Sequence, residues 1–216
     1  MLQTQLQLNL FMENKIYLYG ASGHCKVIID ALRANNTVVE AVYDDNPCFD
    51  SLLGVLVVSV TSLIDFSKKK ILISIGDNGI RKMIAERLAS SFYSVVHPKA
   101  VVSHYATINA GSIVMAGAIV NVNTHIGQHC IINTGAVIDH DCTVADYVHI
   151  SPNVSIAGNV TIGEGSHLGI GACVIQNIVI GKWVVIGAGA VIINDIPDYA
   201  VVVGNPGKII KFKTNE

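Results

Sequence analysis

The chain has 216 residues, room for one or two domains, and its 51% hydrophobic and 14% charged content excludes intrinsic disorder. No apolar run reaches the ~18 residues of a membrane helix. The net charge of −2 conceals a stretch between Lys99 and Lys182 without a single Lys or Arg, which excludes a surface that tracks a phosphate backbone. Five Cys with no close pair fit reduced thiols. A soluble cytoplasmic protein with neither nucleic-acid nor membrane partner is therefore expected.

In chain order, residues 1–14 lack Lys and Arg and mix Gln and Asn with apolar residues, so they read as a flexible extension rather than a secretory signal. Ile16–Tyr19 is a strand run that leads into Gly20-Ala-Ser-Gly-His24. An amphipathic helix follows through Val27, Ile28, Ala31 and Leu32, then a strand from Val38 to Tyr43 ending in Asp44-Asp45. Further strands are expected near 55–58 and at 71–75, the latter entering Gly76-Asp-Asn-Gly79 and a helix over 80–89. Strand–turn–helix alternation implies a small parallel, Rossmann-like α/β domain over residues 15–97. Ligands in such sheets bind past the carboxyl ends of the strands, so the loops Gly20–His24, Asp44–Asp45 and Gly76–Asn78 are expected to converge there. The first is either a tight turn or an anion cradle, where the N–H groups and dipole of a helix start face a phosphate. The Asp44-Asp45 pair is either a solvated turn or a holder of a ribose or base edge.

From Val102 to Ile192 every sixth residue is Val, Ile or Leu, sixteen times without a slip. Two residues before most of these sits a small side chain, as at Ser112, Ala118, Thr124, Cys130, Ala136 and Cys142. Gly, Asn or Asp often follows at once, as at Asn121, Gly127, Asn133, Gly163 and Gly187, and these are expected to make the corners. A helix repeats at 3.6 and an ordinary strand at 2, so a period of six means short strands joined by corners. Three hexads close one triangular coil, which stacks residues eighteen apart at about 4.8 Å. The architecture is a parallel β-helix over residues 98–216. Cys130 and Cys142 occupy small-residue slots and are read as core rather than nucleophiles.

The β-helix resembles the hexapeptide-repeat acyltransferases, and the resemblance implies left-handed coils. With the first domain included, the chain resembles bacterial sugar acetyltransferases of the bacillosamine and perosamine pathways, with the sialic acid O-acetyltransferases as cousins. The matching stretches are Tyr19–His24, Asp44-Asp45, Ile75–Asn78 with Ile80-Arg81, Asn133-Thr134, Asp139-His-Asp141, His149, Ala157-Gly-Asn159 and Gly204–Lys208. The resemblance implies a nucleotide-sugar site at Ser22, Gly23, His24, Asp44, Asp45 and Gly76, an acetyl-CoA site at His149, Gly158, Ile170 and Ala188, and a homotrimer with shared sites.

Acyl transfer to an amine or hydroxyl releases a proton, and His is suited to take it. From the residues alone, His140 is either a base made more basic by two flanking carboxylates or an exposed polar residue. The resemblance implies the base at His140 and a supporting acid at Asp141, where relatives often carry Glu. Neighbours on a strand point to opposite sides, so a direct pair requires a corner there. Gly158 is either a corner glycine or an oxyanion donor. His149 and His167 stack on adjacent coils; His149 is placed near the thioester and His167 on the surface, with no metal expected. His125 and His129 are read as outer-face polar residues. Lys182, Lys208, Lys211 and Lys213 are either a solvated tail or neutralise the CoA phosphates. The function expected is N-acetylation of a UDP- or GDP-linked amino-deoxy sugar with acetyl-CoA as co-substrate; the alternatives are sugar O-acetylation and a non-enzymatic sugar-nucleotide scaffold.

Overall fold

A computed structural model describes residues 15–61, 63–88 and 90–214; the expected extension at 1–14 lies outside them. The described residues divide into two compact units, one comprising residues 15–75 and 84–93, the other residues 76–83 and 94–214. The expected division at 97/98 treated residues 76–83 as part of the first domain, whereas they group with the β-helix.

In the first unit, strands β1 (Ile16–Tyr19), β2 (Val39–Asp44), β3 (Ser51–Leu52), β4 (Val55–Ser59), β5 (Lys70–Ile73) and β6 (Ser91–Phe92) form one sheet in the order β3-β4-β2-β1-β5-β6. All pairs are parallel except the β3–β4 hairpin. Helix α1 (Gly23–Ala34) buries Cys25, Ile28, Ile29, Ala31 and Leu32, the apolar stripe of its sequence. Helix α2 (Asn78–Arg87), which begins two residues earlier than expected, starts in the second unit and ends in the first. The strands β3 and β6 are two residues each and carried no alternating pattern to reveal them.

In the second unit each hexad contributes a two-residue strand, from Val95–Val96 to Val191–Ile192. The strands stack into three parallel faces, with Ile113 beside Ile131 beside His149, the eighteen-residue register. The periodic Val, Ile and Leu residues fill the axis from Val114 to Ile192, and the small slots Ser112, Thr124, Cys130, Cys142 and Ser166 are fully buried beside them. Buried hydroxyls at these slots are satisfied: Ser166 Oγ donates to the Gly181 carbonyl at 2.7 Å and accepts the Val184 N–H at 2.9 Å. An antiparallel hairpin of Ala200–Val203 and Lys208–Phe212 ends the longest face.

The corners differ from expectation. The left-handed residue stands three positions after each apolar hit, at every sixth residue from Gly111 to Gly189, including Asn123, Asp141 and Asn159. The glycines directly after the hit serve close approach instead: a Cβ on Gly163 would come within 2.6 Å of the Gly181 backbone one coil on.

Candidate active site

In the first unit, β1, β2 and β5 are parallel neighbours, so their carboxyl ends share one edge. Gly20 has a φ of +108°, and a side chain there would collide with Ile75. Asp44 holds the turn that follows: its Oδ2 accepts the Ala21 N–H at 2.6 Å and its Oδ1 the Asn46 N–H at 2.8 Å. Ser22 caps α1 in extended conformation without a side-chain hydrogen bond, and no acidic residue occupies the first turn. The exposed Ser22-Gly23 backbone thus leads into an uncompensated helix dipole. Asp45 is held by the Tyr19 hydroxyl at 2.7 Å and by Arg87 at 3.0 Å. Burial alone would raise its carboxyl; these two partners outweigh it and hold it below its usual range. Arg87 and Tyr19 are thus members of this cluster that sequence reasoning left without a role.

Gly76 groups with the β-helix unit. Its carbonyl accepts from Arg81 Nη1 at 3.1 Å and from His149 Nδ1 at 3.3 Å, within the β-helix unit. With Nδ1 donating, His149 Nε2 is the acceptor for the Asn133 amide at 3.3 Å. The His149 and His167 rings stack with centroids 4.6 Å apart. His167 is not a surface residue: it is half-buried, its Nε2 lies 2.9 Å from Ser151 Oγ, and burial lowers its pKa.

Arg81 is fully buried and anchors the 76–83 segment. Its guanidinium donates to the carbonyls of His129 and Tyr147, both at 2.8 Å, and to Asn78 Oδ1 at 2.7 Å. Burial pulls it down to about 10, so it stays a cation at neutral pH. The Asn78 amide donates to the Gly165 carbonyl at 3.0 Å. His129 therefore lies inside, at 1% exposure, rather than on the outer face. Its ring stacks on Tyr147 with centroids 5.3 Å apart, and burial lowers its pKa to about 4, so it is neutral. His125 is exposed as expected, with Nδ1 2.8 Å from Thr107 Oγ1. Cys130 and Cys142 are core thiols; burial pushes the first up to about 12.

At another corner, Asp141 takes a φ of +60°, and this backbone reversal supplies the corner that a direct pair requires. Asp141 Oδ2 accepts from His140 Nδ1 at 2.7 Å, leaving Nε2 as the basic atom. The hydrogen bond to Asp141, then the charge of Asp139, raises the His140 pKa. Gly158, one coil on, is the floor beneath the ring: a Cβ there would lie 2.7 Å from Nε2. An imidazole with its Nδ1 anchored and its Nε2 open to solvent is arranged to accept a proton.

Ile170 and Ala188 are exposed and stand one coil apart, but at a different corner from His140 and Gly158; the six-stranded face lies between the two. Lys182, Lys208, Lys211 and Lys213 are exposed on the last coil and hairpin. Among the described residues, no group of three or more His, Cys, Asp or Glu is arranged to hold a metal ion, and no helix is long and apolar enough to cross a membrane.

Comparison with known proteins adds to this geometry. Residues 15–88 match the PglD N-terminal domain and residues 123–158 the bacterial transferase hexapeptide (six repeats). Over 114 residues the chain is 41% identical to the UDP-N-acetylbacillosamine N-acetyltransferase of Bacillus subtilis, an alignment covering 47% of this chain and 51% of that protein. The match thus spans about half the length of this curated relative. A variant of perosamine N-acetyltransferase from Caulobacter crescentus, in complex with CoA and GDP-perosamine, is 36% identical with a TM-score of 0.87, covering 93% of this chain and 97% of that one. The acetyltransferase domain of PglB from Neisseria gonorrhoeae, in complex with acetyl coenzyme A, is 38% identical with a TM-score of 0.85, covering 91% and 99%. The left-handed winding of the β-helix accompanies this likeness.

Proposed function

The chain belongs to the family of bacterial nucleotide-amino-sugar N-acetyltransferases of the bacillosamine and perosamine type, and from that premise we propose that it moves an acetyl group from acetyl-CoA to the amine of a UDP- or GDP-linked amino-deoxy sugar. The observation that carries the reading is the His140–Asp141 pair at 2.7 Å over the bare backbone of Gly158. The Bacillus subtilis and Caulobacter crescentus relatives are N-acetyltransferases, which favours N- over O-acetylation. A catalyst rather than a sugar-nucleotide scaffold is the reading that accounts for a base with an anchored Nδ1.

In the proposed reaction the neutral amine attacks the thioester carbonyl carbon, His140 Nε2 takes the amine proton, the C–S bond breaks, and the departing CoA sulfur takes that proton from His140 and leaves as the thiol. No acyl-enzyme is formed. Asp141 stabilises the imidazolium, and the Gly158 N–H faces the developing oxyanion. His149, oriented by Gly76, lies near the thioester, while Ile170 and Ala188 line the pantetheine arm. The C-terminal lysines neutralise the CoA phosphates. The Ser22–His24 turn, which Asp44 supports, takes the pyrophosphate, and Asp45 a ribose or base edge.

The His140 and Ile170 corners flank one face of the same triangle, which supports a site completed by a neighbouring chain. We therefore propose a homotrimer in which neighbouring chains complete each site, working in the cytoplasm on diffusible substrates. Incubating the protein with acetyl-CoA and a panel of UDP- and GDP-linked amino-deoxy sugars, with free thiol as the readout, tests the reading. Thiol release with no member of the panel, but with free sugars, would overturn it.

A further inference from the structure

The coil places a second layer of side chains behind the base. Asn121, Val122 and Asn123 stand eighteen residues before Asp139, His140 and Asp141, and therefore one coil away at the same corner. Asp141 uses its two oxygens differently: Oδ2 accepts from His140 Nδ1 at 2.7 Å, and Oδ1 accepts the Asn123 amide at 3.2 Å. Asp139 Oδ1 accepts both the Asn121 amide at 2.9 Å and the His140 backbone N–H at 2.8 Å.

An exposed carboxylate on a short side chain is otherwise free to turn away into water, and holding it in one rotamer costs conformational entropy. A donor built on the neighbouring coil removes that freedom before substrate arrives. Asn suits position 123 for two reasons. Its φ of +57° is a conformation Asn adopts readily, and its short amide spans the ~4.8 Å between coils. We propose that Asn123 and Asn121 are positioning residues that hold the two carboxylates against His140 from the preceding coil. The proposal rests on the reading of His140 as the base.

The surroundings make it measurable. The titratable groups beside His140 are Asp139, Asp141 and the buried Cys142 thiol on its own coil. The coils before and after present Asn121, Val122, Asn123, Ala157, Gly158 and Asn159, none of which titrates. The protonation of His140 therefore reports where the two carboxylates stand.

The test uses Asn123→Gly, which keeps the left-handed backbone and deletes the amide, together with Asn121→Ala. The His140 imidazole is titrated by NMR in the intact protein without substrates, and kcat and KM are measured with acetyl-CoA and the amino-sugar nucleotide. In Asn123→Gly the His140 midpoint falls in the same direction as in Asp141→Asn, kcat drops about tenfold as expected for loss of a hydrogen bond to a charged group, and KM for acetyl-CoA is unchanged. Asn121→Ala acts the same way, more weakly. In an Asp141→Asn background Asn123→Gly moves the midpoint no further, because the carboxylate it positions is gone. An unchanged His140 midpoint in Asn123→Gly, or an equal loss in both backgrounds, would overturn the proposal. A shifted midpoint combined with full turnover by His140→Ala overturns the base assignment while leaving the hold on the carboxylates intact.

Discussion

Gly158→Ala adds a single methyl group beneath the imidazole of His140. The new carbon would lie 2.6 Å from His140 Cε1, 2.7 Å from Nε2 and 3.1 Å from Nδ1. Carbon contacts settle at about 3.5–4.0 Å, so the ring must retreat by about 1 Å. The Gly158 backbone is outside the left-handed region, so alanine brings no conformational strain of its own. His140 is exposed and can swing into solvent. Fold stability should therefore stay within about 1 kcal/mol of the parent. A displacement of this size at a reacting group costs about 10²-fold in rate, and that is the fall expected in kcat. Alanine retains the backbone N–H, so the loss reports a displaced base rather than a missing oxyanion donor. The assay pairs thiol release with thermal unfolding. In a His140→Ala background the same substitution should change nothing further. Full turnover by Gly158→Ala, or an unfolded protein, would refute the reasoning.

His140→Ala should lower kcat by about 10²–10⁴ and leave acetyl-CoA affinity unchanged. Only the neutral imidazole is a base, so kcat/KM should rise with pH through a midpoint above the ordinary His value of about 6.5, and Asp141→Asn should move that limb down; a limb that does not respond to Asp141 belongs to the acceptor amine. Arg81→Leu strands the carbonyls of His129 and Tyr147 and Asn78 Oδ1, so chemical unfolding should show a loss of about 3–6 kcal/mol. The lowered pKa of His129 means that the unfolded chain binds its proton first as pH falls. Folding stability should therefore decline from about pH 6.5 towards pH 4, and His129→Asn, which tolerates the φ of +54°, should flatten that slope in urea titrations. Light scattering at micromolar concentration should give the mass of three chains; a monomer that still turns over would remove the shared site.

Much of the β-helix was written in the chain because each coil touches only its neighbours. A residue and its partner eighteen positions on repeat the same contact, so a period of six alone determines register, inward residues and the placing of Cys130 and Cys142 in the core. That logic also brought His149 onto His167 and put small residues in the buried slots. Strand β1 and the turn after it were legible for a different local reason, a β-branched and aromatic run ending at glycine. What the repeat cannot encode is which outward residues are covered by a segment from elsewhere. Arg81 reaches across 48 residues to the His129 carbonyl and across 66 to that of Tyr147. These contacts buried a histidine that reads as surface, grouped Gly76 with the β-helix and gave its carbonyl to His149. Likewise, the spacing of Asp139, His140 and Asp141 leaves open whether the pair forms, because strand neighbours diverge. The left-handed turn at Asp141 decided it, folding the carboxylate back onto the imidazole beside it.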